Sequence, residues 1–137
     1  MRLSIALDER LPHPVEVVWR ALTDAVAISE WLMVTPDFRP QVGARFRLKT
    51  RHLSPTGWID AEVVELDPPQ RMVWAWCSND GDPPSSVVFE LEGDVGGTRL
   101  RLTHTGEVEP VIGRLLTDGW PGRLQLLADV VTTKEER

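Results

Sequence analysis

One stretch near the end of the chain, residues 111–131 (VIGRLLTDGWPGRLQLLADVV), limits the possible folds more than any other. Its apolar residues fall at Val111, Ile112, Leu115, Leu116, Trp120, Leu124, Leu127, Val130 and Val131. Intervals of three and four put them on one stripe of a helix, and such a stripe must be buried against another apolar surface. Gly119-Trp120-Pro121 interrupts the pattern, because Pro121 has no amide hydrogen and crowds the preceding turn. The segment is therefore expected as one long helix with a kink, or as a short helix feeding a longer one.

Residues 43–106 supply the surface that this helix needs. Residues 44–51 alternate Phe46, Leu48 and Thr50 with Arg45, Arg47 and Lys49, the period of a half-buried strand. Ser54-Pro55-Thr56-Gly57 is a turn, followed by a strand over 58–66. Asp67-Pro68-Pro69-Gln70 breaks the chain again before a strand over 71–77. A polar loop over 78–84 leads to strands over 85–92 and 98–105. Gly93-Asp94-Val95-Gly96-Gly97 joins these two as a hairpin connection longer than the tightest type.

Upstream, residues 2–10 alternate as a strand, and Pro12-His13-Pro14 ends it. Pro14 suits the first position of a helix whose stripe is Val15, Val18, Trp19 and Leu22. A second short helix after Asp24 carries Ile28, Trp31 and Leu32. The order is strand, two short helices, five strands, long helix. Five strands with no helix between them make an antiparallel meander. The fold class is thus α+β: a curved antiparallel sheet wrapped around a long C-terminal helix, one domain over residues 1–137.

Alternation also assigns the faces of the sheet. Phe46, Leu48, Ile59, Ala61, Val63, Met72, Trp74, Trp76, Val87, Phe89, Leu91, Leu100, Leu102 and His104 point inward. Arg47, Glu90, Arg99 and Arg101 point to solvent, as do Trp58, Asp60 and Glu62 unless a bulge in that strand reverses part of the assignment.

Charge and motif content exclude several classes of function. Fifteen basic and twenty-one acidic residues leave a net charge of -6, which argues against a nucleic-acid partner. Arg45, Arg47, Lys49 and Arg51 form a local basic row, most simply a solvated strand face. The lone Cys77 cannot form an intrachain disulfide and suits a reducing, cytoplasmic setting. The N-terminal alternation is that of a strand, not a signal peptide, and no uncharged run reaches membrane-spanning length. His13, His52 and His104 lie at no metal-ligand spacing, so no metal is expected. There is no nucleophile-elbow, phosphate-loop or dinucleotide fingerprint, and no cofactor is expected. Gly93 to Gly97 precedes a strand and reads as a turn, not a phosphate cradle.

These residues, in this order, resemble the helix-grip superfamily, also called START-like or SRPBCC. Within it they resemble the family of homologues of the activator of the heat-shock-protein-90 ATPase (AHSA-type). The resemblance runs through His13-Pro14-Val15-Glu16-Val17-Val18-Trp19-Arg20-Ala21-Leu22-Thr23-Asp24 and Glu30-Trp31-Leu32. It continues through Gly43 to Phe46, Asp67-Pro68-Pro69, Val73 to Trp76, Gly97-Thr98-Arg99-Leu100 and Thr103-His104-Thr105-Gly106, and closes on Gly119-Trp120 to Leu127. It implies a cavity between sheet and long helix that takes a lipid-like or polyaromatic molecule. The family name also implies a link to a chaperone and the stress response.

The candidate cavity residues are Phe46, Leu48, Trp74, Trp76, Phe89, Leu102, His104, Leu116, Trp120 and Leu124. Trp74, Trp76 and Trp120 either face one another across a cavity as flat walls or fill the space themselves. His104 either meets a ligand polar group or closes the sheet end through a local hydrogen bond. Glu16, Asp24, Glu30, Asp60 and Glu62 read as solvated surface, and no catalytic residue is assigned. Three functions remain open: a binding protein for a small apolar molecule, a co-chaperone-like interaction module, and a cyclase- or hydrolase-like enzyme using the same cavity. The expected molecule is a monomer or homodimer, with Gly119, Pro121 and the 78–84 loop giving a ligand access.

Overall fold

The computed structural model describes residues 1–135 and has the expected order of elements. Strand β1 (Arg2–Leu11) is followed by helices α1 (Val15–Thr23) and α2 (Ala25–Trp31). Strands β2 (Arg45–Lys49), β3 (Trp58–Asp67), β4 (Arg71–Cys77), β5 (Ser85–Asp94) and β6 (Gly97–Glu107) then lead to helix α3 (Pro110–Glu135). All strand pairs are antiparallel, in the spatial order β1-β6-β5-β4-β3-β2. The two short helices thus carry the chain from one edge of the sheet to the other. The architecture is the α+β helix-grip arrangement.

Every residue assigned to the inner face by alternation is buried. Register explains how they meet the helix as rows: Val63, Trp74, Val87, His104 and Ile5 lie side by side across five strands. The β3 bulge does occur, between Val63 and Glu65. It falls beyond Ile59, Ala61 and Val63, so their inward direction stands; past it the alternation reverses, with Glu65 exposed opposite Val73 and Leu66 paired with the buried Met72. Trp58 faces outward, with the Arg47 guanidinium 4.5 Å from its ring centroid, a cation–π contact.

Helix α3 runs unbroken through Pro121 and buries Ile112, Leu116, Trp120, Leu124, Leu127 and Val131. Of the two expected forms the chain adopts the single helix. Intervals of four and three make one narrow stripe, each side chain stabilising by about 1.5–3 kcal/mol over exposure. Val111 and Leu115, placed on the stripe from spacing, lie at its margin and are exposed.

Local chemistry sets the short helices. The Asp24 carboxylate accepts from the Ala27 amide at 3.0 Å and caps α2. Trp31 donates its indole N–H to the Ala21 carbonyl at 2.9 Å, locking α2 onto α1. Pro14 sits one residue ahead of α1, in the cap position and not the first helical one.

The β5–β6 hairpin corrects the sequence reading. Asp94 pairs with Gly97, so the connection is the two residues Val95 and Gly96, with Gly96 at a φ of +86°. Its apparent glycine-rich loop is mostly strand. Gly97 is needed because a Cβ there would fall on the Leu11 carbonyl oxygen where β1 turns away. Gly97→Ala should therefore cost about 1–3 kcal/mol in a urea melt, as overpacking does. Gly122→Ala, with nothing near its Cβ, should be neutral or stabilise by up to about 1 kcal/mol.

Candidate functional site

The interior and the helix do not close on each other along their full length. At one end, a cavity of about 580 Å³ opens between α2, the end of β2 and the middle of α3. That volume is in the range of small-molecule sites. Buried Leu32, Trp76, Leu116 and Trp120 give it an apolar floor. Met33 and Val34 after α2, Leu53 after β2, and Leu115 on α3 extend this apolar surface to the mouth. Ser29, Lys49, Thr50, Arg51, His52 and Arg123 complete the lining. Backbone pairing fixes the mouth: the Lys49 amide donates to the Val34 carbonyl at 3.0 Å, holding the α2–β2 connection against the strand.

Gly119 also lines the cavity, and a Cβ built there meets nothing within 4 Å. A glycine within a helix costs about 1 kcal/mol relative to alanine. Here it leaves open space beside Trp120.

Behind the floor, a buried polar chain holds the Trp120 indole and ends on the Trp76 backbone carbonyl. Trp120 can only donate, and its Nε1–H reaches His104 Nδ1 at 3.1 Å. Nδ1 is therefore the acceptor, and the neutral ring carries its proton on Nε2. That proton goes to Ser85 Oγ at 2.7 Å, and the Ser85 hydroxyl donates to the Trp76 carbonyl at 3.2 Å. Each polar atom of the chain is satisfied. Burial pushes the His104 pKa down from 6.5 to about 4, so the ring is neutral near pH 7. With Nε2 protonated, His104 has no lone pair with which to deprotonate Ser85. The pair acts as a brace, fixing the Trp120 ring, which lies 5.9 Å from Trp76 at a tilt of 49°.

Trp76 has a second feature. Its indole Nε1 is buried and has no hydrogen-bond partner, although its ring forms part of the cavity wall. That donor, like the Trp74 Nε1, is enclosed by protein and does not face the opening.

The ten candidate residues divide between cavity and packed interior. Trp76, Leu116 and Trp120 line the opening. His104 stands directly behind it and reaches it through Trp120. Phe38, Phe46 and Phe89 pack around Trp74, with centroids 4.8–5.9 Å from its ring, and Phe46, Trp74 and Phe89 fill the interior without bordering the opening. Leu48, Leu102 and Leu124 are buried in the same core and do not border the opening. The 78–84 loop lines a recess of about 20 Å³ and contributes no residue to the lining of the larger opening. Met33, Val34 and Leu53 belong to no periodic element and give no signal in the sequence, whereas Lys49, Thr50 and Arg51 read as strand and a solvated basic row and not as the rim of an opening. Gly119 was legible as an irregularity, but not as open volume. Among the described residues no three His, Cys, Asp or Glu side chains cluster as metal ligands, and no helix is long and apolar enough to cross a membrane.

A family model described as "Activator of Hsp90 ATPase homolog 1-like protein" matches residues 12–132, everything from the end of β1 to the last turns of α3. No curated protein matches the chain. Solved structures do. Protein MLL2253 from Mesorhizobium loti is 30% identical, with a TM-score of 0.81 over 95% of this chain and 97% of that one. CalU16 from Micromonospora echinospora is 27% identical, with a TM-score of 0.76 over 98% and 79%. Protein BH1534 from Bacillus halodurans is 26% identical, with a TM-score of 0.77 over 95% and 98%.

Proposed function

The chain belongs to the family of Activator of Hsp90 ATPase homolog 1-like proteins, and from that premise we propose that it is a small binding protein for an apolar or polyaromatic molecule. The ligand lies in the opening between sheet end, α2 and α3, against Trp76 and Trp120. The observation that carries this reading is the open volume of about 580 Å³ floored by the indoles of Trp76 and Trp120, the second of them braced by His104. A protein with only a core to seal would gain by filling it, since voids forfeit contacts.

An enzyme reading has less support. The buried Ser–His pair is oriented so that histidine donates to serine, the reverse of a nucleophile and its base. The co-chaperone reading rests on the family's description alone. It would become the better one if the opening took no small molecule.

The test uses native mass spectrometry for a retained ligand, then a thermal-shift titration with fatty acids, sterols, flavonoids and polyketide-like aromatics. A bound member should raise the melting temperature by mass action. Gly119→Leu separates binding from stability. It should stabilise the free protein by up to about 1 kcal/mol through helix propensity, yet weaken or abolish the ligand-induced shift by occupying the opening. An unchanged ligand response in that variant would move the ligand elsewhere.

A further inference from the structure

We propose that the ligand is an anionic amphiphile, its apolar body inside the opening and a carboxylate or phosphate group at the mouth, held by Lys49, Arg51 and Arg123. This rests on the binding-protein reading and specifies the ligand class. The chain is acidic overall, with twenty-one acidic against fifteen basic residues. The cavity reverses that balance: its lining contains these three cations and His52, and no aspartate or glutamate.

The basic row on β2 divides at this point. Arg45 is paired with Glu62 at 3.3 Å and Arg47 with Asp37 at 3.6 Å. Lys49 and Arg51, further along the same stretch, have no carboxylate within 4 Å among the described residues, and neither has Arg123, which lines the same opening from α3. The acidic neighbours in sequence do not neutralise the mouth. Glu30 on α2 is engaged by Lys134 at 3.4 Å, and Asp118 on α3 is not part of the lining.

Like charges lining one opening repel one another when it is empty, and an anion bound among them offsets that repulsion. A charge-assisted contact to carboxylate or phosphate is about twice as strong as a neutral one. Half-exposed groups at a mouth are screened by salt, so the contribution should fall as ionic strength rises. Discrimination, not total affinity, is what the mouth adds.

The experiment compares matched ligands that differ only in the head group, below their aggregation concentrations. The pairs are hexadecanoate against hexadecanol, and 1-pyrenebutyrate against 1-pyrenebutanol, with hexadecyl phosphate added to separate phosphate from carboxylate recognition. Binding is read by calorimetry at pH 8 in low salt. The anion of each pair should bind about tenfold more tightly than the alcohol. In the triple variant Lys49→Gln, Arg51→Gln, Arg123→Gln, that ratio should fall to near one while alcohol binding persists. Equal affinity for anion and alcohol, or a ratio that survives in the triple variant, would overturn the proposal and leave the binding-protein reading intact. Failure of every ligand to bind would remove both.

Discussion

Trp74→Ala is expected to lower the free energy of unfolding by about 3–5 kcal/mol, the range for deleting a buried aromatic side chain. Trp74 is fully buried on β4 and touches three phenylalanines. Its centroid lies 5.9 Å from Phe38, 5.0 Å from Phe46 and 4.8 Å from Phe89. These come from β2, β5 and the α2–β2 connection, so relaxation into the void would require three separately anchored elements to move together. The loss should sit at the upper end of the range for that reason. Trp74→Phe provides the contrast. The Trp74 indole N–H is buried without a partner, and replacing it removes an unsatisfied donor along with part of the ring. Its cost should therefore be well below that of the alanine variant, about 1 kcal/mol. Urea melts of both variants check the pair. A phenylalanine variant as damaged as the alanine one would show that the indole N–H is satisfied after all.

The second large effect is a loss of stability in mild acid, centred on His104. Burial holds its pKa at about 4 in the folded protein, against 6.5 for an exposed histidine. Between those two values the unfolded chain binds a proton that the folded chain refuses. Stability therefore rises with pH across this window. The full contribution is present above about pH 6.5, and about 3 kcal/mol is lost by pH 4. The Asp8 carboxyl, held below its ordinary value by the Arg99 guanidinium, loses its contribution only at lower pH and does not obscure the histidine. Unfolding free energies from urea melts at pH 4, 5, 6 and 7 should trace this slope. His104→Gln, which does not titrate, should be weaker at pH 7 and nearly flat across the same window. An equal slope in the variant would assign the acid sensitivity to another group.

Much of this fold can be read from alternation and helical spacing, because those periods follow directly from backbone geometry. Phe46 and Leu48 on β2, or Trp74 and Trp76 on β4, must point to one face if their neighbours point to the other. The same rule cannot say how deep a residue lies within that face. Trp74 and Trp76 are two positions apart with the same direction, yet one is packed among phenylalanines and the other lines an opening. What separates them is where α3 and the α2–β2 connection pass overhead, a tertiary fact with no local signal. The hairpin itself was legible, but its tight two-residue connection was not, for a related reason. Gly93 to Gly97 resembles a loop by composition, whereas the pairing of Asp94 with Gly97 depends on the close approach of β1 and on Arg10, which grips Asp94 and the Val95 carbonyl. His104 was legible as an inward residue near a strand end. Its role as a brace needed Ser85, nineteen residues away in sequence, and Trp120, sixteen away.

The central claim is that a ligand enters beside Trp76 and Trp120 and not elsewhere on the molecule. The chain has six tryptophans, and each gives one indole N–H signal in a proton–nitrogen correlation spectrum. Titration with 1-pyrenebutyrate should move the Trp76 and Trp120 signals saturably, as the ring current of the bound pyrene falls on both indoles. The signals of Trp19, Trp31, Trp58 and Trp74 should stay in place. Signals assigned by single Trp→Phe variants that remain fixed for Trp76 and Trp120, with this probe and with every member of the ligand panel, would contradict the account.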